Sequence, residues 1–592
     1  MLEQHIASRL SRRATLRLFA SAAGVALVAA CQAPAPANPP TAVPAAKPTA
    51  PASSTQPTQT TGSAQPTAPA AAGGAAPTSA TSSGAAAPDR AAQAGFIPVG
   101  VGPSSTAPLT APKGQPRTGG TLRIGNLGDL PNADGHWING QNVFYGVYDR
   151  LVDLDASLQP HPSLAESWET NPDFTQITFH LRKGVMLHSG RELAAEDVAW
   201  NYNRIKGDRK IDGGIKANFF VPLGSIETPD KYTVVLKATQ PWPAVFNVLA
   251  WTNILDPQVP PEQNKPSGTG PFTFVEWVQG DHFTLKRNPN YWQSGKPYLD
   301  GVEIKILSDP QSMISQLEGG GLDVAILPLI RDAIRLSKDP KYQVVYNQNS
   351  GSVNVILAQL RDGAGPTTNQ QFRQALNASI DRQRWTDTVL PGVGTPKTLP
   401  VTPTNPAYDA ATDQANLFDL DKAKSLLAQS RVTSPQLEVV YSSASSDSQQ
   451  VLQIWQQDLA KIGVTVSLKS TEPVAYVDQL FNSKFVNLIS GGSLFGQLHP
   501  AFFWGNAYYS PAYNWANYKS DQYTQVAAGL QTETDPAKQK QVYAQWIQYI
   551  TDQSWCFPWS NTVPRTVTTA NVQGMTYNMT EFLMPNDAWL AS

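Results

Sequence analysis

The stretch FHLRKGV, residues 179–185, predicts a strand followed by a tight turn. Phe179, Leu181 and Val185 would bury one face of this stretch, because successive side chains along a strand point to opposite faces. Gly184 suits the turn, since glycine adopts a positive φ without the strain that a side chain would add. We therefore expect a strand with one buried face that ends in a turn at residues 182–184.

Strand patterns alternate with amphipathic helix patterns on both sides of this stretch. Apolar and polar residues alternate, as in half-buried strands, at residues 121–124, 176–181, 232–237 and 302–307. Apolar residues recur at helical spacing in residues 372–389, 421–427 and 449–462. The succession predicts an α/β chain with mixed sheets. Residues 118–592 are too many for a single hydrophobic core, so we expect two or three lobes.

A set of short motifs follows in a fixed order along the chain. They are LAESWE (164–169), FHLRKGV (179–185), HSG (188–190), AAEDV (194–198), GTGPF (268–272), RNPNYW (287–292), FRQALN (372–377), DKAKSLL (421–427) and LAKIGV (459–464). In order and spacing, this set resembles the family 5 extracellular solute-binding proteins, the binding components of peptide, nickel and oligosaccharide ABC importers. Most of these motifs have a scaffold interpretation: Glu196 and Asp197, for example, suit the first turn of a helix.

The resemblance implies an α/β, two-lobed periplasmic-binding-protein fold with mixed sheets, hinge strands and a subdomain inserted in the first lobe. A ligand that contacts both lobes favours their closure, after which an ABC permease and ATPase would receive it. The expected boundaries are residues 118–145, 267–346 and 561–592 for lobe I, 146–266 for the inserted subdomain, and 347–560 for lobe II.

Residues 1–30 predict an export signal, because arginines precede an apolar run shorter than the roughly 20 residues that span a bilayer. Residues 11–17 resemble a twin-arginine motif, although Thr15 stands where that motif usually has Phe. Residues 28–31 resemble a lipobox, which predicts lipidation of Cys31 and an extracytoplasmic protein anchored to the cell membrane. The alternative is an arginine-rich amphipathic start of a soluble protein.

After Cys31, the chain up to residue 117 consists mainly of Ala, Pro, Thr, Ser and Gly with hardly a charge. This composition cannot offset the entropy of ordering, so it predicts a disordered linker with an r.m.s. span of roughly 50 Å. A glycosylated mucin-like stalk fits the same composition. The other cysteine, Cys556, would then lack a disulfide partner, and we expect a small buried apolar residue there.

The charge balance and the motifs argue against several classes of protein. The chain has a formal net charge of -2 and no basic run interleaved with aromatic residues, which argues against nucleic acid. The motifs G-x-S-x-G, H-E-x-x-H, C-x-x-C and G-x-x-x-x-G-K-[ST] do not occur, so we expect a non-enzyme without cofactor or metal centre, and a monomer. A lone His499 near the cleft leaves nickel or haem binding as an alternative.

In peptide-binding relatives, an acidic residue in a loop of the second lobe pairs with the α-ammonium of the ligand. The matching stretch here, residues 486–500, contains no carboxylate. A buried ammonium without a partner is costly, so this stretch disfavours a peptide ligand unless an acid elsewhere compensates.

Residues 502–518 are rich in aromatic and amide side chains, which suit a neutral polar ligand such as an oligosaccharide. The loop after the first strand, residues 136–145, offers similar groups from lobe I. The predicted ligand-binding residues are Trp137, Asn139, Tyr145, Ser493, Phe495, Trp504, Asn514 and Trp515. Each aromatic residue also has a packing interpretation, since most aromatics in a domain of this size lie in the core.

Together these features predict a membrane-anchored solute-binding protein that delivers a neutral polar organic molecule to an ABC importer. Binding of an oligopeptide or dipeptide for import is one alternative. A tethered ligand sensor that is not coupled to transport is another, because a fold does not fix a function.

Overall fold

The computed structural model describes residues 97–99, 113–130, 132–137, 146–155, 158–207, 211, 215–259, 261–347, 352–413, 415, 417–502, 514–578 and 583–591. The chain divides into two units, Met1–Ser82 and Ser83–Ser592, and every described residue belongs to the second. The predictions for the export signal and for Cys31 therefore concern residues outside the described part.

The strands are β1 (Ile97–Val99), β2 (Thr121–Asn126), β3 (Val152–Leu154), β4 (Pro160–Pro162), β5 (Ala165–Thr170), β6 (Gln176–Leu181), β7 (Leu223–Asp230), β8 (Thr233–Ala238), β9 (Phe272–Val278), β10 (His282–Arg287), β11 (Gly301–Ile306), β12 (Val324–Ile326), β13 (Tyr342–Asn347), β14 (Ser352–Ala358), β15 (Gln436–Ser442), β16 (Thr465–Thr471), β17 (Leu488–Phe495), β18 (Cys556–Asn561), β19 (Arg565–Thr569), β20 (Val572–Gln573), β21 (Thr576–Tyr577), β22 (Leu583–Met584) and β23 (Trp589–Leu590).

The α-helices are α1 (Ala195–Gly207), α2 (Ile215–Phe219), α3 (Val245–Ala250), α4 (Pro310–Glu318), α5 (Ile330–Leu336), α6 (Gln370–Ala378), α7 (Arg382–Val389), α8 (Ala410–Asp413), α9 (Leu420–Ser430), α10 (Ser446–Lys461), α11 (Pro473–Phe481), α12 (Asp521–Thr532) and α13 (Pro536–Gln553). Short 3-10 helices among the described residues include Pro261–Gln263 and Gly365–Thr368.

Lobe I is built on an eight-stranded sheet with the order β1-β13-β19-β12-β2-β11-β10-β9. Its centre is parallel, since β2 pairs in parallel with β11 and β12, while β9, β10 and β11 pair antiparallel. β1 adds a parallel edge strand next to β13. These three residues lie in the segment that composition predicts to be disordered, so backbone pairing overrides composition at this point.

Lobe II is built on a five-stranded sheet with the order β16-β15-β17-β14-β18. β15 pairs in parallel with β16 and β17, whereas β14 pairs antiparallel with β17 and β18. The inserted segment carries an antiparallel sheet with the order β5-β6-β8-β7. The predicted α/β fold with mixed sheets is confirmed, and the exact boundaries of the lobes stay predictions.

The stretch at residues 179–185 has the predicted conformation. Phe179, Leu181 and Val185 are buried, and Gly184 has a φ of 74°. The other predicted strands correspond to β2, β6, β8 and β11. In the motif at residues 268–272, a side chain at Gly268 is excluded sterically, because a β-carbon there would lie 2.4 Å from the Tyr148 ring.

The helical spacing noted over residues 372–389 corresponds to two helices, α6 and α7, with a break between them. Asp381 begins α7 by accepting a hydrogen bond from the Arg384 amide at 3.1 Å. Ser379, between the helices, accepts a hydrogen bond from the Trp455 indole at 2.8 Å. Phe372 and Trp385 reach the same hydrophobic cluster, so the apolar spacing continues across the break and conceals it.

Within the part of the chain that the structure describes, three hydrophobic clusters form the interior. One joins the inserted subdomain to lobe II, with Phe179 and Trp251 from the former and Phe502 and Trp546 from the latter. A second joins lobe I to lobe II, and the third joins the sheet of lobe I to Val147, Tyr148 and Leu255 of the inserted segment. Lobe II therefore shares a core with each of its two neighbours.

Candidate functional site

The chain passes between the two large sheets twice. β13 of lobe I is followed by β14 of lobe II, and β18 of lobe II is followed by β19 of lobe I. The two passages lie side by side, because β14 and β18 pair antiparallel. β17 ends where β14 begins, since Phe495 is opposite Ser352, and β15 runs parallel to β17. We call the end of lobe II at which β13 leads into β14 and β18 leads into β19 the crossing end. Ligands of α/β proteins bind at such carboxyl ends of parallel strands.

Several polar side chains and backbone groups line the crossing end, and together they are called the polar group. The Tyr476 hydroxyl donates a hydrogen bond to the Ser490 carbonyl at 3.0 Å. Gly491 is exposed and has a φ of 109°, and a β-carbon there would lie 3.1 Å from the Tyr476 hydroxyl oxygen and 3.6 Å from Ser448 Oγ. Glycine at this position leaves backbone open to close approach by a ligand.

A carboxylate reaches the same end from the helix that follows β15. Asp447 lies in the first turn of α10, whose N-cap is Ser445. The helix dipole favours a negative charge there. Burial nevertheless raises the pKa of the Asp447 carboxyl, while the positive charge of Arg565 and a hydrogen bond from Ser446 act in the opposite direction.

Arg565, the first residue of β19, supplies a cation from lobe I. Its Nε donates to the Pro328 carbonyl at 2.6 Å and its Nη1 donates to the Val563 carbonyl at 3.3 Å. Burial lowers the pKa of the Arg565 guanidinium, and the negative charge of Asp447 is the largest opposing influence. Opposite charges from the two lobes therefore act on each other at the crossing.

An apolar residue completes this set. Leu327 follows β12, donates its amide to the Arg565 carbonyl at 2.9 Å, and has a φ of 53°. Leu327 is 45% exposed, and a positive φ is uncommon for a residue other than glycine. Hydroxyls, open backbone, one charge of each sign and an exposed apolar side chain suit a polar organic ligand that is itself charged at both ends.

The predicted site residues of lobe I are only partly described. Trp137 is half-buried, and its amide donates to the Asp134 carbonyl at 3.0 Å. The loop around it is fixed by Asp134, which forms an ion pair with Arg204 at 2.7 Å. Asn139 and Tyr145 lie outside the described residues. Ligand contact by these three residues stays a prediction.

The predicted residues of lobe II have varied positions. Ser493 and Phe495 lie on β17 at the crossing end, while Trp504 lies outside the described residues. Asn514 closes its own turn, since its side chain bonds both the amide and the carbonyl of Tyr518. Trp515 is 5% exposed and packs edge-on against Phe481 at 5.3 Å. These contacts give Asn514 and Trp515 structural roles, and their contact with a ligand stays a prediction.

His499 has both ring nitrogens engaged. Its Nδ1 accepts a hydrogen bond from the Ala501 amide at 3.2 Å, and its Nε2 lies 2.9 Å from the Tyr543 hydroxyl. Burial lowers the pKa of His499 to about 4. The described residues contain no group of three or more His, Cys, Asp or Glu side chains able to hold a metal ion. His499 thus joins secondary elements, which leaves the nickel or haem alternative without support from its geometry.

Asp447 and Arg565 were not among the residues predicted from the sequence. Asp447 lies outside residues 486–500, where an acid was sought, and it comes close only because β15 and β17 are parallel neighbours. The available signal was the serine-rich run at residues 442–448 between a strand and a helix.

Among the helices of the described part of the chain, none has the length and hydropathy that a membrane span requires.

Comparison with known families decides the assignment. Residues 159–522 match the family model described as bacterial extracellular solute-binding proteins, family 5 Middle. The chain belongs to this family. The sequence resemblance is thereby confirmed for more than half of the chain, including β14, β17 and the polar group at the crossing end.

Several characterised proteins are similar to this family 5 protein. Haem-binding protein A of Haemophilus influenzae is 28% identical, over 56% of this chain and 64% of its own length. The glutathione-binding protein GsiB of Salmonella typhimurium is 29% identical, over 59% and 68%. The oligopeptide-binding protein AppA of Bacillus subtilis is 26% identical, over 77% and 88%. The match thus spans less than two thirds of the haem-binding relative.

The fold comparison agrees. The binding protein AgaA of A. tumefaciens R10, solved in complex with agropinic acid, superposes with a TM-score of 0.70. It is 25% identical, and the superposition covers 80% of this chain and 99% of AgaA. The two-lobed periplasmic-binding-protein fold expected from the sequence is confirmed.

Proposed function

We propose that the protein binds a peptide-like solute outside the cytoplasm and delivers it to an ABC importer. The observation that carries this proposal is the pair of opposite charges at the crossing end, Asp447 on lobe II and Arg565 on lobe I. A solute with an ammonium and a carboxylate complements both charges. Because these charges lie on different lobes, such a solute would favour the closed state over the open one.

The relatives favour the peptide alternative over the oligosaccharide ligand. AppA is an oligopeptide-binding protein and GsiB a glutathione-binding protein, so two of the similar proteins bind peptides. The lack of a carboxylate at residues 486–500 disfavours a peptide ligand unless an acid elsewhere compensates. Asp447 is our candidate for that acid, since a buried ammonium needs such a partner.

The remaining features of the proposal come from the sequence. Lipidation of Cys31, the linker up to residue 117 and the ABC permease and ATPase as partners are parts of the same proposal. An anchored protein whose linker spans roughly 50 Å could reach a permease in the same membrane.

The proposal is tested by calorimetric titration of the full chain carrying Cys31→Ser. The ligands are a set of short peptides, the same peptides acetylated at the N-terminus, glutathione and neutral oligosaccharides. We expect peptides to bind, acetylation to weaken binding roughly tenfold, and Asp447→Asn to weaken the free peptide by a similar factor. Acetylation should then have little further effect on the Asp447→Asn variant.

The control is Asp478→Asn, an exposed aspartate whose carboxylate pairs with Lys484 at 2.8 Å. It removes the same type of charge, but the charges that act on Arg565 are those of Asp447 and Tyr577 and do not include Asp478, so peptide binding should be unchanged. Binding of oligosaccharides alone would overturn the peptide proposal. If Asp447→Asn and Arg565→Gln bind peptides as strongly as the parent chain does, the peptide proposal would stand, but the two charges would not belong to the site.

A further inference from the structure

A cavity of about 660 Å³ opens at the other end of lobe II, where β14 leads into the Leu360–Arg361–Asp362 loop. β14 enters the sheet at the crossing end and leaves it at Ala358, so this cavity lies at the far end of that strand. Three cations line it, Arg361, Arg373 and Lys519, against one acid, Asp362. The cavity is therefore basic, whereas the chain as a whole has a formal net charge of -2.

Arg373 is the most informative of these residues, because it is a buried cation. It is 2% exposed, and its guanidinium donates to the carbonyls of Thr367, Thr368 and Gln553 at 2.9 to 3.0 Å. Its Nη2 has only a long contact of 3.5 Å to Gln553 Oε1. Burial lowers the pKa of Arg373 to about 10, and the charges that oppose this shift are those of two tyrosines. Neutral oxygens thus hold a cation that lacks a carboxylate among the described residues.

Arg361 is only partly buried, but carbonyl oxygens also hold its guanidinium. Its Nη1 donates to the Ser483 carbonyl at 2.6 Å and its Nη2 to the Phe485 carbonyl at 3.0 Å. Carbonyl acceptors orient the guanidinium without neutralising it. Lys519 is exposed at the rim, where a flexible ammonium can follow a ligand. Two fixed cations and one mobile cation converge on one concave surface.

We propose that this cavity binds a phosphate-type oxyanion. Charges buried without a counter-ion are costly, and an anion in the cavity would supply the missing charge. Gln370 and Asn517 in the lining offer amide groups for further oxygens. The volume exceeds that of a bare phosphate and accommodates a phosphate ester, either a small soluble molecule or the headgroup of an anionic phospholipid. The site does not depend on the solute proposed for the crossing end.

The test uses the full chain with Cys31→Ser, so that lipidation cannot contribute to membrane binding. Inorganic phosphate is titrated calorimetrically at constant ionic strength. We expect saturable binding that Lys519→Gln weakens roughly tenfold and that Lys519→Glu abolishes. Lys538→Glu is the matched control, because Lys538 is also an exposed lysine but does not line the cavity. It should bind phosphate as the parent chain does.

A second arm separates the two sources of the anion. The same variants are sedimented with phosphatidylglycerol vesicles and with phosphatidylcholine vesicles. Binding to the former that is lost in Lys519→Glu, with weak binding of free phosphate, would assign the cavity to a lipid headgroup. Phosphate binding without vesicle binding would assign it to a soluble ester. Equal behaviour of Lys519→Glu and Lys538→Glu in both arms, or no binding in either, would overturn the proposal.

Discussion

Two contacts of lobe II with the rest of the described chain differ in character: an apolar junction with the inserted subdomain, and a charged junction with lobe I that exists in addition to the hydrophobic core shared by these two lobes. At the apolar junction, with the inserted subdomain, the ring of Phe502 stacks on Phe219 with centroids 4.2 Å apart and meets Trp251 edge-on at 5.3 Å. At the charged junction, with lobe I, Asp447 acts on Arg565 beside hydroxyls and open backbone. Burial of apolar surface is insensitive to the charge of a ligand, whereas a charge pair responds to it directly. We therefore expect the apolar junction to contribute to stability and the charged junction to respond to the charge of a ligand.

The largest expected effect comes from removing the stacked ring. Phe502→Ala should lower the free energy of unfolding by roughly 3–5 kcal/mol, because it deletes a buried aromatic ring at the apolar junction and leaves a cavity. Thermal and urea denaturation measure this loss. Val221→Ala, at a position that is 56% exposed, is the control and should have little effect. A loss below about 1 kcal/mol for Phe502→Ala would show that the apolar junction contributes little to stability.

Acid should weaken the apolar junction next. The pKa of His499 in the folded protein, about 4, is below its value of roughly 6.5 in an unfolded chain. The neutral form is thus favoured by folding, so this contribution is complete above pH 6.5 and is lost as the pH falls towards 4. The loss amounts to roughly 3 kcal/mol.

The measurement is the melting temperature between pH 7 and pH 4. His499→Gln removes the titrating group, while an amide can still accept from the Ala501 amide and bond the Tyr543 hydroxyl. Its melting temperature should therefore fall less steeply with acid than that of the parent chain. Parallel curves for the two proteins would show that His499 does not titrate in this range.

The smallest effect is expected at the charged junction without a ligand. A double-mutant cycle with Asp447→Asn and Arg565→Gln should give a coupling energy of about 1 kcal/mol in urea denaturation, since both groups are partly withdrawn from water. A saturating peptide should increase this coupling if it bridges both charges. A coupling energy of zero both with and without peptide would show that Asp447 and Arg565 do not interact, and the two junctions would then not differ in the way described.

The local elements were largely predictable. Alternation with a period of two identified β6 and β8, and the turn at Gly184 followed from its freedom at positive φ. The break between α6 and α7 was not found, since apolar periodicity continues through it. Asp381 and Ser379 make that break, and a short polar run inside a periodic segment is a weak signal by itself.

The candidate site was predictable only in part. The stretch at residues 486–500, which was expected to be a ligand-binding loop of lobe II, contains strand β17 at Leu488–Phe495, and its contact with a ligand stays a prediction. The partner charges were missed because Asp447 and Arg565 are more than a hundred residues apart along the chain. Neither residue has a distinctive neighbour sequence, and only the parallel pairing of β15 with β17 and the passage from β18 to β19 bring them together.

The sequence by itself determined the family, the α/β class and most of the elements, because ordered motifs and hydrophobic periodicity are local properties of the chain. The tertiary structure decided which charges face each other, where Phe502 packs, and that Arg361 and Arg373 share a cavity with Lys519. Those facts depend on the order of the strands in each sheet and on the two passages of the chain between the sheets of lobe I and lobe II. Burial and electrostatics act through space, and the order of residues does not encode distances between segments that are remote in sequence.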